Sequence, residues 1–168
     1  MNLPRTTYLV ILAGALAWCT AIVAVPYLAA VASPLSASVY QIFRPICHQL
    51  PERSFFLFGE KLGVCSRCAS IYFTFLAGTL VFPFLHRRIT PLFRNSTHTR
   101  SILFAVLLPM LLDVVAEFAG IHDSTFLTRT ITGALLGLVL PLVILPVAIE
   151  GVQQFVVQKS VVRTIIDN

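Results

Sequence analysis

Charge is scarce in this 168-residue sequence: only 11% of its residues are Asp, Glu, Lys or Arg, and none lies between Thr6 and Phe43. That shortage excludes a soluble domain, since 57% of the chain is hydrophobic and its mean hydropathy is +0.88; an integral membrane protein is the class that fits. Internal repeats, a heptad run, a glycine-rich phosphate loop and a dinucleotide fingerprint are also missing. Coiled-coil and nucleotide-cradling architectures therefore drop out. The net charge of +5 does not argue for nucleic acid, because basic residues flanking spans set topology and meet membrane lipid headgroups.

What is present is long apolar stretches. Four of them, at about 8–32, 66–85, 101–121 and 130–149, are long enough to cross roughly 30 Å of hydrocarbon at about 1.5 Å per helical residue. The fold class expected is all-α, a polytopic four-helix bundle forming one membrane domain over 1–168. Ala30-Val31-Ala32 resembles a cleavage site, but the preceding apolar run exceeds a signal-peptide core, so an uncleaved first helix is expected. Pro109, Pro141 and Pro146 are compatible with spanning helices, where neighbours can satisfy the freed carbonyls.

Counting basic residues on the two faces of an even-numbered arrangement gives orientation. Arg5, Arg87, Arg88, Arg94, Arg100, Lys159 and Arg163 share the face of both termini; Arg44, Arg53, Lys61, Arg67 and Arg129 share the other. The bias places both termini in the cytoplasm of a bacterial inner-membrane protein.

Between the first two spans, Leu35, Val39, Ile42, Phe43 and Ile46 recur at helical spacing, which predicts a short helix on the membrane surface ended by Pro45. Pro51-Glu52-Arg53-Ser54 reads as a turn, and Phe55, Phe56 and Phe58 as an aromatic run dipping into the interface before Gly59 and Gly63 return the chain. The stretch from His86 to Arg100 reads as a solvated connector, with His86 and His98 as surface residues and Asn95-Ser96-Thr97 as an accidental glycosylation match. The tail, 150–168, is amphipathic and either prolongs the fourth helix or lies along the surface.

The chemistry is concentrated at Cys47-His48 and Cys65-Ser66-Arg67-Cys68. Cys65 and Cys68 open the second span, where free backbone N–H groups and Arg67 favour thiolate. Three outcomes compete. Cys47, Cys65, Cys68 and His48 or water can hold a metal, with zinc the ion that suits the ligands. Alternatively, two of the cysteines form a disulfide, structural or redox-active, worth on the order of 3 kcal/mol in the chain-entropy account. In the third, they are ordinary interfacial thiols with a histidine satisfied by a carbonyl. Cys19, in mid-span, reads as packing.

Asp113 and Glu117 lie one turn apart inside the third span, where charge must be paired, neutralised or hydrated. Either Arg129 pairs with Glu117, or the acids line a polar cavity with Thr128, Thr130 and Thr132. Burial would raise the pKa of Asp113 unless Arg129 or Arg67 reaches it. Gly133 and Gly137 form a small-xxx-small face that allows close helix approach.

Cys47-His48-Gln49, Pro51-Glu52-Arg53-Ser54-Phe55, Cys65-Ser66-Arg67-Cys68 with Tyr72, Asp113, and Arg129 with Thr132-Gly133 together resemble a family of small bacterial membrane proteins known as a domain of unknown function. The family often carries Gly after the third-span Asp and Gln at the position of Glu117; here Val114 and Glu117 stand there. The resemblance implies no activity. A looser architectural similarity is to membrane enzymes that pass electrons from a thiol pair to quinone. This chain has His122 and Asp123 where those enzymes have a second pair. With the Cys and His site at the outer interface supported by Arg53, Arg67, Asp113 and Glu117, two functions follow: a metal-binding or disulfide-stabilised binding protein, as a subunit of a larger membrane complex, or a quinone-linked thiol–disulfide oxidoreductase with Cys65 and Cys68 reactive, Cys47 resolving and Arg67 stabilising thiolate.

Overall fold

A computed structural model describes residues 3–93, 96–121 and 123–166. In chain order these form α1 (Leu3–Ala30), α2 (Leu35–Phe43), a 3₁₀ turn (Pro51–Arg53), β1 (Ser54–Leu57), β2 (Glu60–Cys65), α3 (Ser66–Phe93), α4 (Ser96–Phe118) and α5 (Phe126–Ile166). Helices α1, α3, α4 and α5 are each long and apolar enough to cross a membrane. Helix α3 lies along α5, α1 packs on both, and α4 rests chiefly on α5.

Close approach of α3 and α5 depends on small residues, as expected from Gly133 and Gly137. A Cβ on Gly133 would meet the Arg67 carbonyl at 2.6 Å, and one on Gly137 would strike Thr74 Oγ1 and the Ile71 carbonyl. Gly78 repeats the device from α3, its missing Cβ 2.6 Å from the ring of Pro141. Such clearances leave no room for any side chain.

The expected connector from His86 to Arg100 is instead helical on both sides of its middle: α3 runs to Phe93 and α4 begins at Ser96. Arginines end an apolar span without ending the backbone hydrogen-bond ladder, so the helices project beyond the hydrocarbon-length segments. Asn95 lies outside the described residues. Helix α5 likewise continues through the tail to Ile166.

Identifiable caps set the junction between α4 and α5. Gly120, at φ 67°, closes α4 as the Ile121 N–H returns to the Ala116 carbonyl and the Gly120 N–H to that of Glu117, a Schellman arrangement. The α4 helix thus ends at Phe118, three residues before the expected Ile121. Thr125 Oγ1 accepts the Thr128 N–H at 3.2 Å and starts α5 four residues ahead of the expected Thr130.

The short helix α2 forms where the periodicity placed it. Between it and α3, however, the aromatic run is a β-hairpin rather than an irregular loop. Phe58 (φ 57°) and Gly59 (φ 80°) supply the two positive φ angles of a two-residue turn, with Leu57 opposite Glu60. A bulge lies between the Phe56–Lys61 and Ser54–Cys65 pairs, and Leu62, Gly63 and Val64 are buried in succession. Gly63 sits against the Phe43 ring, 3.2 Å from where its Cβ would be.

Here is the densest part of the core: Ile22 and Val25 of α1, Phe43, Cys47, Leu62, Val64 and Ala69, all buried. The Trp18 ring stands edge-on to Phe43 at 5.0 Å and to Tyr72 at 5.8 Å. The hairpin is therefore clamped to α1 and α2 by apolar packing, which fixes the entrance to α3.

Candidate metal centre

Three separate segments deliver the sulfurs. Cys47 follows α2, its N–H bonded to the Phe43 carbonyl at 3.0 Å; Cys65 is the last residue of β2; Cys68 lies in the first turn of α3. Cys65 was expected inside the helix and instead ends the strand before it. The Sγ atoms of Cys47, Cys65 and Cys68 all lie within 4.8 Å of one another, and all four cysteines of the chain are free thiols. The disulfide expectation therefore finds no support. The remaining thiol, Cys19, is buried in α1 and donates to the Tyr72 carbonyl at 3.4 Å, the packing role read for it.

Polar bonds strap the Cys47 loop onto β2. Gln49, itself at φ 54°, donates through Nε2 to the Tyr40 carbonyl at 2.8 Å, while Lys61 Nζ donates to the Gln49 carbonyl at 2.9 Å. The Tyr40 hydroxyl donates to the Lys61 carbonyl, and Ser54 Oγ to that of Leu50. These bonds hold Cys47 in register with the strand that ends at Cys65.

The Cys47 sulfur accepts the Cys65 backbone N–H at 3.1 Å. Hydrogen bonds from the Cys65 thiol, then the Cys68 thiol and this N–H, outweigh burial and hold the Cys47 thiol far below the usual range, at about 2. A thiolate stabilised this way is the form that ligates metals. His48 does not join the sulfur group, contrary to the fourth-ligand expectation. Cys47 is 5% exposed, whereas His48 is exposed.

Beside the sulfurs is a cavity of about 580 Å³ whose lining includes all three cysteines, His48, Arg53, Arg67, Glu117 and Arg129. Its charged wall is built from paired groups. Glu117 Oε1 meets Arg53 Nη1 and Arg129 Nη2, both at 2.6 Å, and Glu117 Oε2 lies 3.8 Å from Arg67 Nη2. Arg67 pairs with Asp113 and donates to Ser124 Oγ at 3.2 Å. The Ser124 hydroxyl in turn lies 2.8 and 2.7 Å from the two Asp113 oxygens.

The Arg129–Glu117 pair matches the sequence reading, and Arg67 proves to be the cation that reaches Asp113. Neither Asp113 nor Thr132 lines the cavity, and the threonines do not form a hydroxyl wall. Thr128, Thr130 and Thr132 donate to carbonyls three or four residues back along the chain, the usual resting place for hydroxyls on an apolar helix. Ser124 and the second cation on Glu117, Arg53, complete the network. Arg53 was expected to support the site; the only sequence signal for Ser124 was its place in a short polar connector. His122 lies outside the described residues.

This chain belongs to the family described as "Predicted membrane protein (DUF2085)", whose model matches residues 47–143; the matched segment begins at the first sulfur and contains the whole charged cluster. An uncharacterized protein of Methanocaldococcus jannaschii is 33% identical over 149 residues, spanning 85% of this chain and 93% of its own length. An uncharacterized protein of Methanothermobacter thermautotrophicus is 32% identical over 91 residues, 54% of this chain and 77% of its own length. Both organisms are archaea, so these relatives do not support the bacterial setting read from the sequence. No solved structure matches the chain.

Proposed function

We propose that this is a four-span membrane protein whose single helical domain carries a metal centre on Cys47, Cys65 and Cys68, with zinc as the ion. The observation that carries this reading is the mutual approach of three free sulfurs within 4.8 Å. Tetrahedral zinc with bonds of about 2.3 Å sets its thiolates about 3.8 Å apart, so only a small contraction is needed. The donor set fits the ion: soft thiolates, one already favoured in that form. The fourth position is left to water or to a ligand entering from the cavity.

The proposal places both termini in the cytoplasm and the sulfurs on the outer side, by the seven-to-five bias in basic residues, in the cell membrane, which is the inner membrane in a bacterium. Helix α2 lies on the lipid surface, consistent with its exposed Leu35 and Ile42. The membrane-crossing window of α4 has none of its residues buried, leaving a face for lipid or for another subunit of a larger complex.

The second reading, quinone-linked thiol–disulfide exchange, is favoured by one observation, the cavity adjoining the sulfurs. Against it, Cys19 on α1 donates to the Tyr72 carbonyl on α3 and the other three cysteines form a single group, so no second thiol pair stands ready to relay electrons. Elemental analysis of purified protein, alongside maleimide labelling with and without reductant, separates the two. The metal reading expects one equivalent of zinc that is lost in Cys68→Ser; metal-free protein whose thiols are reversibly oxidised by a quinone analogue would refute it.

A further inference from the structure

We propose that the cavity beside the sulfurs is a receptor for a small organic oxyanion, a carboxylate or phosphate group borne on an apolar body. Three guanidinium groups, Arg53, Arg67 and Arg129, share two carboxylates, Asp113 and Glu117. The cluster thus carries one surplus cation on the wall of a mostly apolar cavity, and Arg53, whose side chain is 42% exposed, is the guanidinium most open to an incoming anion.

The residue types point to the same class of ligand. Arg53, Arg67 and Arg129 all line the cavity, and planar guanidinium groups favour carboxylate or phosphate. Arg129 is 7% exposed, and its Nε, like that of Arg67, is buried with no acceptor among the described residues, so these two cations are not fully satisfied by the acids they share. Ile46, Leu50, Met110, Val114 and Phe118 form the apolar part of the lining. At about 580 Å³ the space suits an organic molecule rather than a lone ion. The site needs no metal, so the proposal stands apart from the zinc reading.

The test uses full-length protein in phosphatidylcholine nanodiscs, as purified and after chelation, titrated with inorganic phosphate and with octanoate. A parallel preparation carries phosphatidylglycerol in the disc. Thermal unfolding and calorimetry read binding. Saturable stabilisation by a soluble probe identifies a free anion; stabilisation confined to phosphatidylglycerol discs identifies a lipid headgroup, and either supports the proposal. Arg53→Gln is expected to weaken binding about tenfold, with Arg53→Lys retaining most of it. Arg44→Gln, at the exposed end of α2, leaves it unchanged. A measurement on wild-type protein needs no variant to fold: the bound probe protects Arg53, but not Arg44, from phenylglyoxal. Absence of saturation with every probe, equal binding by Arg53→Gln, or equal losses in Arg44→Gln would overturn the proposal. Binding to chelated protein separates its outcome from that of the zinc reading.

Discussion

Arg67 stands between two chemistries, covalently beside Cys68 and ion-paired to Asp113. Its side chain is 15% exposed and that of Asp113 9%, so removing either partner leaves a largely buried charge short of its counter-ion. Asp113→Ala is expected to cost about 3 kcal/mol, and the paired change Arg67→Met with Asp113→Leu to recover most of it, as thermal unfolding in detergent would show. The sequence exposed this network only in part. Two acids one turn apart inside an apolar span demanded cations, and Arg67 and Arg129 were the available candidates. Arg53 was legible as support for the thiol site, but its pairing with Glu117 depends on how the hairpin docks, which is a tertiary fact.

Cys47 gives a pH expectation with a definite sign. Hydrogen bonds to its sulfur depress the folded pKa to about 2, whereas an ordinary unfolded thiol titrates near about 8.5. The thiolate therefore stabilises the fold above the unfolded value, and that contribution is lost as pH falls toward the folded one. In metal-free protein, thiolate ultraviolet absorbance should persist below about pH 7 and vanish on Cys47→Ser. Full loss of that absorbance near the ordinary thiol range in wild-type protein would contradict the arrangement.

Among the elements, α3 and α5 tolerate no side chain at their closest crossing. Gly137→Ala should force them apart and lower the unfolding temperature markedly, because the new Cβ meets backbone as well as Thr74. Gly14→Ala, with nothing within 4 Å of its Cβ, is the matched control and should be neutral or slightly stabilising. This crossing was legible in the Gly133-xxx-Gly137 spacing. The hairpin was not, because its turn is Phe58-Gly59 rather than Asn-Gly, and an aromatic residue at positive φ is no signal at all. The end of α3 and the start of α4 were misread for one reason: the loss of hydropathy at Arg87, Arg88 and Arg100 marks the edge of a span, not the end of a helix.

Across the whole molecule, the site exists because distant segments meet at one end of the helices. Cys47 comes from the loop after α2, Cys65 and Cys68 from the strand–helix junction, Glu117 from α4 and Arg129 from α5. Spacing alone identified the cysteines as neighbours in waiting; the core around Phe43, Val64 and Ala69 is what brings them together. The same packing turns Cys47 inward and His48 out, a distinction that two adjacent letters in a sequence do not carry.

Zinc-edge X-ray absorption on the purified protein tests the central claim most directly, since it counts the atoms bound to the metal. Three sulfur neighbours at about 2.3 Å and one lighter atom are expected, with the metal lost in Cys47→Ser as in Cys68→Ser. A spectrum with fewer than three sulfurs in the wild type, or no stoichiometric metal to measure, would contradict it.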